Sequence, residues 1–174
     1  MIKLVPFGPE DFTRLISWID SKKLLITIAG DFFTFPLTVD QLRNYLEEEN
    51  SYAFNIADND TIMGHAEIIL SAEGTYKIDK LIIGEASNRG KGIGQQVINR
   101  LLNYCFTILN AEVVELNVFG WNIGGIRCYE KCGFTLNRNK KTTFAYDTEK
   151  WTALNMTINK DEWLNRESLK YETK

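Results

Sequence analysis

The chain has 174 residues, 44% of them hydrophobic, with 20 Lys and Arg against 23 Asp and Glu and a net charge of −3. That length and apolar content suit one domain, residues 1–174, with a core of its own, and the slight acidity argues against a general nucleic-acid binder, which would usually show a basic face. No apolar run reaches membrane-spanning length and the N-terminus lacks the apolar core and cleavage site of a secretory leader, so the protein reads as cytoplasmic, away from membranes.

In chain order, residues 2–5 read as a short strand, and Pro9, Glu10 and Asp11 as a helix first turn, where proline and acidic residues are favoured. Phe12, Leu15, Ile16 and Ile19 continue that helix at its period. A second helix follows Thr38, an N-cap whose box is completed by Gln41. Between the two helices, Phe32, Phe33 and Phe35 sit in a loop bounded by Gly30 and Pro36, and either pack on the core or wall a binding cleft. Residues 51–57, 61–71 and 75–83 read as a meander of strands separated by turn clusters at 58–60 and 72–74. Alternation along the second strand puts His65 and Glu67 on one face.

The third strand ends in the apolar run Lys80-Leu81-Ile82-Ile83, and from Gly92 onward Val97, Ile98, Leu101, Leu102 and Phe106 recur at helical spacing. Between them lies Arg89-Gly90-Lys91-Gly92-Ile93-Gly94. Its glycines permit a tight turn and leave the backbone bare, and amides opening a helix point their N–H groups at a ligand where the dipole favours an anion. Arg89 and Lys91 add positive charge. A mononucleotide P-loop requires Gly-Lys-Ser or Gly-Lys-Thr, which is absent, and the dinucleotide fingerprint requires glycine where Gln95 stands. Residues 112–119 form the next strand and complete a βαβ unit, whose strands are expected parallel with a right-handed crossover. Asn122 then caps, and Gly133 ends, a helix carrying Ile126 and Tyr129. Residues 134–146 and 151–158 read as a hairpin, and 161–174 as a charged helix that frays. Cys105, Cys128 and Cys132 are odd in number on predicted helices and His65 is the only histidine, which argues against a disulfide framework and against a metal site.

Arg89-x-x-Gly92-x-Gly94, followed by Asn122, by Tyr129 seven residues on and by Tyr129-Glu130-Lys131-x-Gly133-Phe134, resembles the GNAT-type N-acetyltransferases. The resemblance spans residues 2–160 and is strongest over 80–134. The ending, Trp151 with an apolar strand and then Glu162-Trp163, is similar to the subgroup of ribosomal-protein N-terminal acetyltransferases. This likeness implies an α/β (α+β) fold with a mixed, mostly antiparallel sheet, a splayed parallel strand pair and flanking helices. It implies acetyl-CoA as cosubstrate without a metal. The pyrophosphate would lie on the backbone of Arg89, Gly90, Lys91, Gly92, Ile93 and Gly94, and the pantetheine amides would pair with Leu81, Ile82 and Ile83. Asn122 would hold the pantetheine or acetyl end, and Tyr129 would serve as general acid toward the thioester sulfur.

The acceptor so implied is a primary amine, on a small molecule or a protein N-terminus, attacking the thioester directly in a monomer or homodimer. An ammonium must lose a proton before it attacks, and Glu67 is the expected base, with Asp79 or a chain of waters as alternatives. In such folds the phenylalanine loop borders the acceptor cleft. Cys128 lacks the paired histidine of a covalent nucleophile. A reading of a different class keeps the cradle without turnover, as an acyl-CoA-binding or sensing module.

Overall fold

The structure, a computed structural model, describes residues 1–84 and 92–172. Seven strands form one sheet in the order β1-β2-β3-β4-β5-β7-β6: β1 (Ile2–Pro6), β2 (Ser51–Asp58), β3 (Thr61–Ala72), β4 (Thr75–Ile83), β5 (Val113–Phe119), β6 (Thr135–Tyr146) and β7 (Glu149–Asn159). Every neighbouring pair is antiparallel except β4 and β5, which are parallel, as the βαβ reading requires. The helices are α1 (Phe12–Trp18), α2 (Lys22–Ala29), α3 (Val39–Leu46), α4 (Ile93–Asn103), α5 (Ile123–Lys131) and α6 (Lys160–Glu172). This is the mixed, mostly antiparallel architecture expected from the sequence.

The sequence reading placed no helix at α2. Ile26, Thr27 and Ile28 are β-branched and lower helix propensity, so the local signal is weak. The Ser21 hydroxyl nevertheless accepts from the Leu24 N–H at 3.3 Å, and Gly30 stops the helix at φ +57. Burial of Leu25 and Ala29 beside Leu15, Leu42 and Tyr45 supplies the rest.

Two apolar cores lie on opposite faces of the sheet. Val97, Ile98, Leu101 and Leu102 of α4 pack on Ile78, Leu116 and their neighbours, whereas α1, α2 and α3 close a second core that includes Ile82. Ile78 and Ile82 are four residues apart on one strand and would share a face if β4 were regular. They do not, because Lys80 and Leu81 together oppose Ala66: the register passes from Glu67↔Asp79 to His65↔Ile82, with Lys80 at φ +48. This bulge reverses the alternation and swings Lys80 out of the α4 core.

The same sheet holds a polar network at its far end. Glu115 on β5 accepts from Lys140 (2.9 Å), Ser71 (2.8 Å) and Asn155 (3.0 Å). Burial pushes its carboxyl upward, but these three donors outweigh burial and hold it below the ordinary value. The carboxylate therefore contributes stability that is present above pH 4.5, its ordinary value, and is lost as pH falls through the lower folded value. We expect the Tm difference between the wild type and Glu115→Gln to hold constant above that point and to narrow below it. A difference that persists unchanged to low pH would contradict the assignment.

Candidate active site

The parallel ladder between β4 and β5 runs from Thr75↔Val113 to Ile78↔Leu116 and stops there, two residues before the Lys80-Leu81 bulge. Past that point the strands part around a cavity of about 40 Å³ lined by Thr27 and Ile28 from α2, Asp79, Lys80 and Leu81 from β4, and Tyr129 from α5. Because α2 and α5 sit on opposite faces of the sheet, this space is a slot through it.

On the α5 face, Tyr129 packs on Phe134 with ring centroids 6.2 Å apart. Its hydroxyl makes no hydrogen bond among the described residues. Burial, and then the neighbouring Cys128 and Cys132 thiols, push the hydroxyl pKa up, so it stays protonated through neutral pH. Asn122 caps α5, its Oδ1 accepting from the Gly125 N–H at 3.0 Å. Gly92 starts α4 at φ +74, and a Cβ added there would meet no atom of the described residues beyond its chain neighbours within 4 Å. A bare helix start of this kind fits a phosphate. Ile93 opens the helix, and Gly94 brings α4 against α5, where an added Cβ would lie 3.3 Å from Cys128 Sγ. Arg89, Gly90 and Lys91 lie outside the described residues.

On the α2 face, the slot opens into two further cavities of about 200 and 410 Å³ that share Ile26, Gly30, Asp31 and Phe144. The phenylalanine loop divides between the two roles open to it. Both Phe33 and Phe35 line the larger cavity, but Phe33 is buried at 8% exposure in the α1–α3 core, whereas Phe35 is 39% exposed. We therefore expect Phe33→Ala to cost about 3–5 kcal/mol of stability. Phe35→Ala should instead raise the acceptor KM with Tm and acetyl-CoA affinity held. The opposite assignment of effects, by thermal melts and steady-state kinetics, would reverse this division.

Glu67 and Asp79 are register partners on β3 and β4, but their surroundings differ. Glu67 is 1% exposed with both oxygens engaged: the Ser51 hydroxyl donates to Oε1 and Lys80 Nζ to Oε2, each at 2.5 Å. Asp79 takes Lys77 Nζ at 2.9 Å and the Lys80 N–H at 3.0 Å, and faces both the slot and the 200 Å³ cavity. His65, on the Glu67 face, is 1% exposed with Nε2 3.1 Å from the Tyr45 hydroxyl. Burial, with Lys80 adding to it, pushes its pKa down to about 3, so the ring is neutral. Cys128 is drawn down to about 7, chiefly by the Cys132 thiol, with burial opposing and Lys131 helping. The only histidine is thus committed elsewhere.

The Lys80 environment was not legible beforehand. Its ammonium is 3% exposed, held by Glu67 and lying 4.1 Å from the Phe32 ring centroid and 5.3 Å from that of Tyr45. A lysine in an otherwise apolar strand end was the one available signal.

A parallel strand pair that parts beside a glycine-started helix, with a protonated tyrosine in the gap and a carboxylate across it, is an arrangement that suits an acyltransferase using a thioester. Residues 22–134 match the acetyltransferase (GNAT) family, and the chain belongs to that family. It is 23% identical over 170 residues to an N-acetyltransferase 9-like protein of Nematostella vectensis, covering 88% of this chain and 86% of that one. A spermidine N(1)-acetyltransferase of Vibrio cholerae is 34% identical over 85 residues, 49% of each chain. In fold, the chain is similar to the crystal structure of the Vibrio cholerae spermidine N-acetyltransferase in complex with CoA and spermine. The TM-score is 0.78 at 22% identity, covering 94% of this chain and 98% of that one. The protein is accordingly an acetyl-CoA-dependent N-acetyltransferase.

Proposed function

We propose that the protein acetylates the primary amine of a small molecule with an apolar body, and that the slot between β4 and β5 is where the acetyl group is passed through the sheet. The slot carries this reading, since it sets Tyr129 on one face and Asp79 with α2 on the other. Acetyl-CoA supplies the acetyl group as a thioester. Gly92, Ile93 and Gly94, with Arg89, Gly90 and Lys91 before them, hold its pyrophosphate. Leu81, Ile82 and Ile83 pair with the pantetheine on the side of β4 that β5 has left, and the Asn122 amide nitrogen, opposite its capping oxygen, reaches the same chain. The acceptor lies on the α2 face among Phe35, Phe119 and Phe144.

Asp79 takes the ammonium proton, directly or through a water. The neutral amine then forms the new C–N bond at the thioester carbon, the C–S bond breaks, and Tyr129 protonates the departing thiolate. The Lys80 N–H is already given to the Asp79 carboxylate, so the oxyanion takes backbone donors further along β4. Glu67, the base expected from the sequence, serves this step as a positioning residue that holds Lys80 and the bulge. Three free cysteines and the use of acetyl-CoA support a cytoplasmic location, and a monomer or homodimer of this single domain suffices for the chemistry.

Paired pH profiles test the choice of base. Asp79→Asn should lower kcat/KM by about 10²-fold at neutral pH, with the loss recovered as pH rises and free amine accumulates. Glu67→Gln should leave the shape of the profile unchanged, although stranding Lys80 costs about 3–5 kcal/mol of stability. A loss recovered at high pH in Glu67→Gln but not in Asp79→Asn would make Glu67 the base.

A further inference from the structure

The Lys80 side chain closes a site with the composition of a cation receptor. Two aromatic faces, Phe32 and Tyr45, and one carboxylate, Glu67, converge on a single ammonium, with Asp79 Oδ2 a further 3.9 Å away. Such a set attracts any desolvated cation through the ring quadrupoles and the carboxylate charge. Here the cation belongs to the chain itself. It arrives because the bulge at φ +48 turns Lys80 from the α4 core to the Glu67 side of the sheet, a conformation a β-branched residue avoids. The receptor also adjoins the acceptor space: Phe32 and Asp79 line the 200 Å³ cavity, and Lys80 lines the slot.

The charges facing the acceptor follow from this arrangement. Glu67 is neutralised by Lys80 and Asp79 by Lys77. Asp31 is the acid of the two α2-side cavities with no ion-pair partner among the described residues. An acceptor carrying several ammonium groups needs a carboxylate for each charge it desolvates, and besides Asp79, which takes the proton of the reacting ammonium, the described residues of this cleft leave only Asp31.

We propose that Lys80 is a specificity-determining residue whose ammonium occupies a carboxylate-and-aromatic cage beside the acceptor cleft, so that the enzyme takes amines with a single positive charge over polyamines. This rests on the assignment of the α2 face to the acceptor. Without the Lys80 ammonium, the cage receives a second ammonium of the acceptor.

The test compares n-butylamine with spermidine as acceptors. The wild type should have the higher kcat/KM for butylamine. Lys80→Met keeps most of the stem and removes the charge, and should raise the spermidine-to-butylamine ratio of kcat/KM by about tenfold, the effect of one desolvated cation–carboxylate and ring contact. Glu67→Gln/Lys80→Met removes the carboxylate as well and should return the ratio to the wild-type value. A loss of packing alone would lower both acceptors together in both variants. An unmoved ratio in Lys80→Met, or an equal rise in the double variant, overturns the proposal.

Melting temperature gives a second readout that needs no turnover and serves a weakened fold. Spermidine should raise the Tm of Lys80→Met in proportion to its logarithmic concentration, and should leave the wild type and the double variant unshifted. If the wild type acetylates neither amine while binding acetyl-CoA, the assignment of the acceptor face fails. The cage then stands or falls on this shift alone, and its absence from Lys80→Met overturns it.

Discussion

Tyr129→Phe is expected to lower kcat by about 10²-fold, toward the small end of the range for a positioned proton donor. The thiol of the leaving group has a pKa of about 8.5, so its thiolate is already a tolerable leaving group near neutral pH, which limits what an acid can add. The hydroxyl is protonated at that pH, because burial raises its pKa, and Tyr129 lines the slot proposed for the thioester. The phenylalanine variant keeps the ring that packs on Phe134, so Tm and acetyl-CoA affinity should hold. Equal kcat in the variant would remove the acid role. Joint loss of stability and cofactor affinity would instead mark Tyr129 as a packing residue.

Gly92→Val should weaken acetyl-CoA binding by about 10–100-fold, the equivalent of one charge-assisted amide–phosphate hydrogen bond. Two causes act together. At φ +74 a β-branched residue is strained, and the side chain would crowd the helix start that we propose as the phosphate site. Among the described residues, none beyond the chain neighbours stands within 4 Å of the added Cβ, so the fold is expected to survive. Gly92→Ala carries the backbone strain with less bulk and should fall between the two in affinity. Calorimetry that finds the folded valine variant binding acetyl-CoA as tightly as the wild type would sink the cradle assignment.

The parts legible in the sequence were those set by local period. The α4 stripe, the strand before it, the parallel β5 and the α5 cap at Asn122 each follow from spacing within one element, and all are present. Parts that depend on distant partners were hidden. The α2 helix is decided by packing against α1 and α3, over the weak propensity of Ile26, Thr27 and Ile28. The bulge in β4 leaves no periodic trace: read as a regular strand, Ile78, Lys80 and Ile82 share one face, and distant partners, the Glu67 carboxylate with the Phe32 and Tyr45 rings, hold Lys80 away from it. The same contact separates the two carboxylates. Alternation puts Glu67 on the right face, but only the structure shows both its oxygens occupied while Asp79 opens to the slot. The difference between Phe33, buried in the core, and Phe35, exposed at the cavity, likewise depends on where α2 lies, since both residues line that cavity.

The most direct test of acetyl transfer through the β4–β5 slot is release of free thiol from acetyl-CoA by the purified protein over a panel of primary amines, with each product weighed by mass spectrometry. The account predicts amine-dependent thiol release, one thiol for each N-acetylated product, and its loss by about 10²-fold in both Tyr129→Phe and Asp79→Asn at neutral pH. Tight calorimetric binding of acetyl-CoA with no amine-dependent thiol from any acceptor would contradict it, and would mark the domain as an acyl-CoA-binding module.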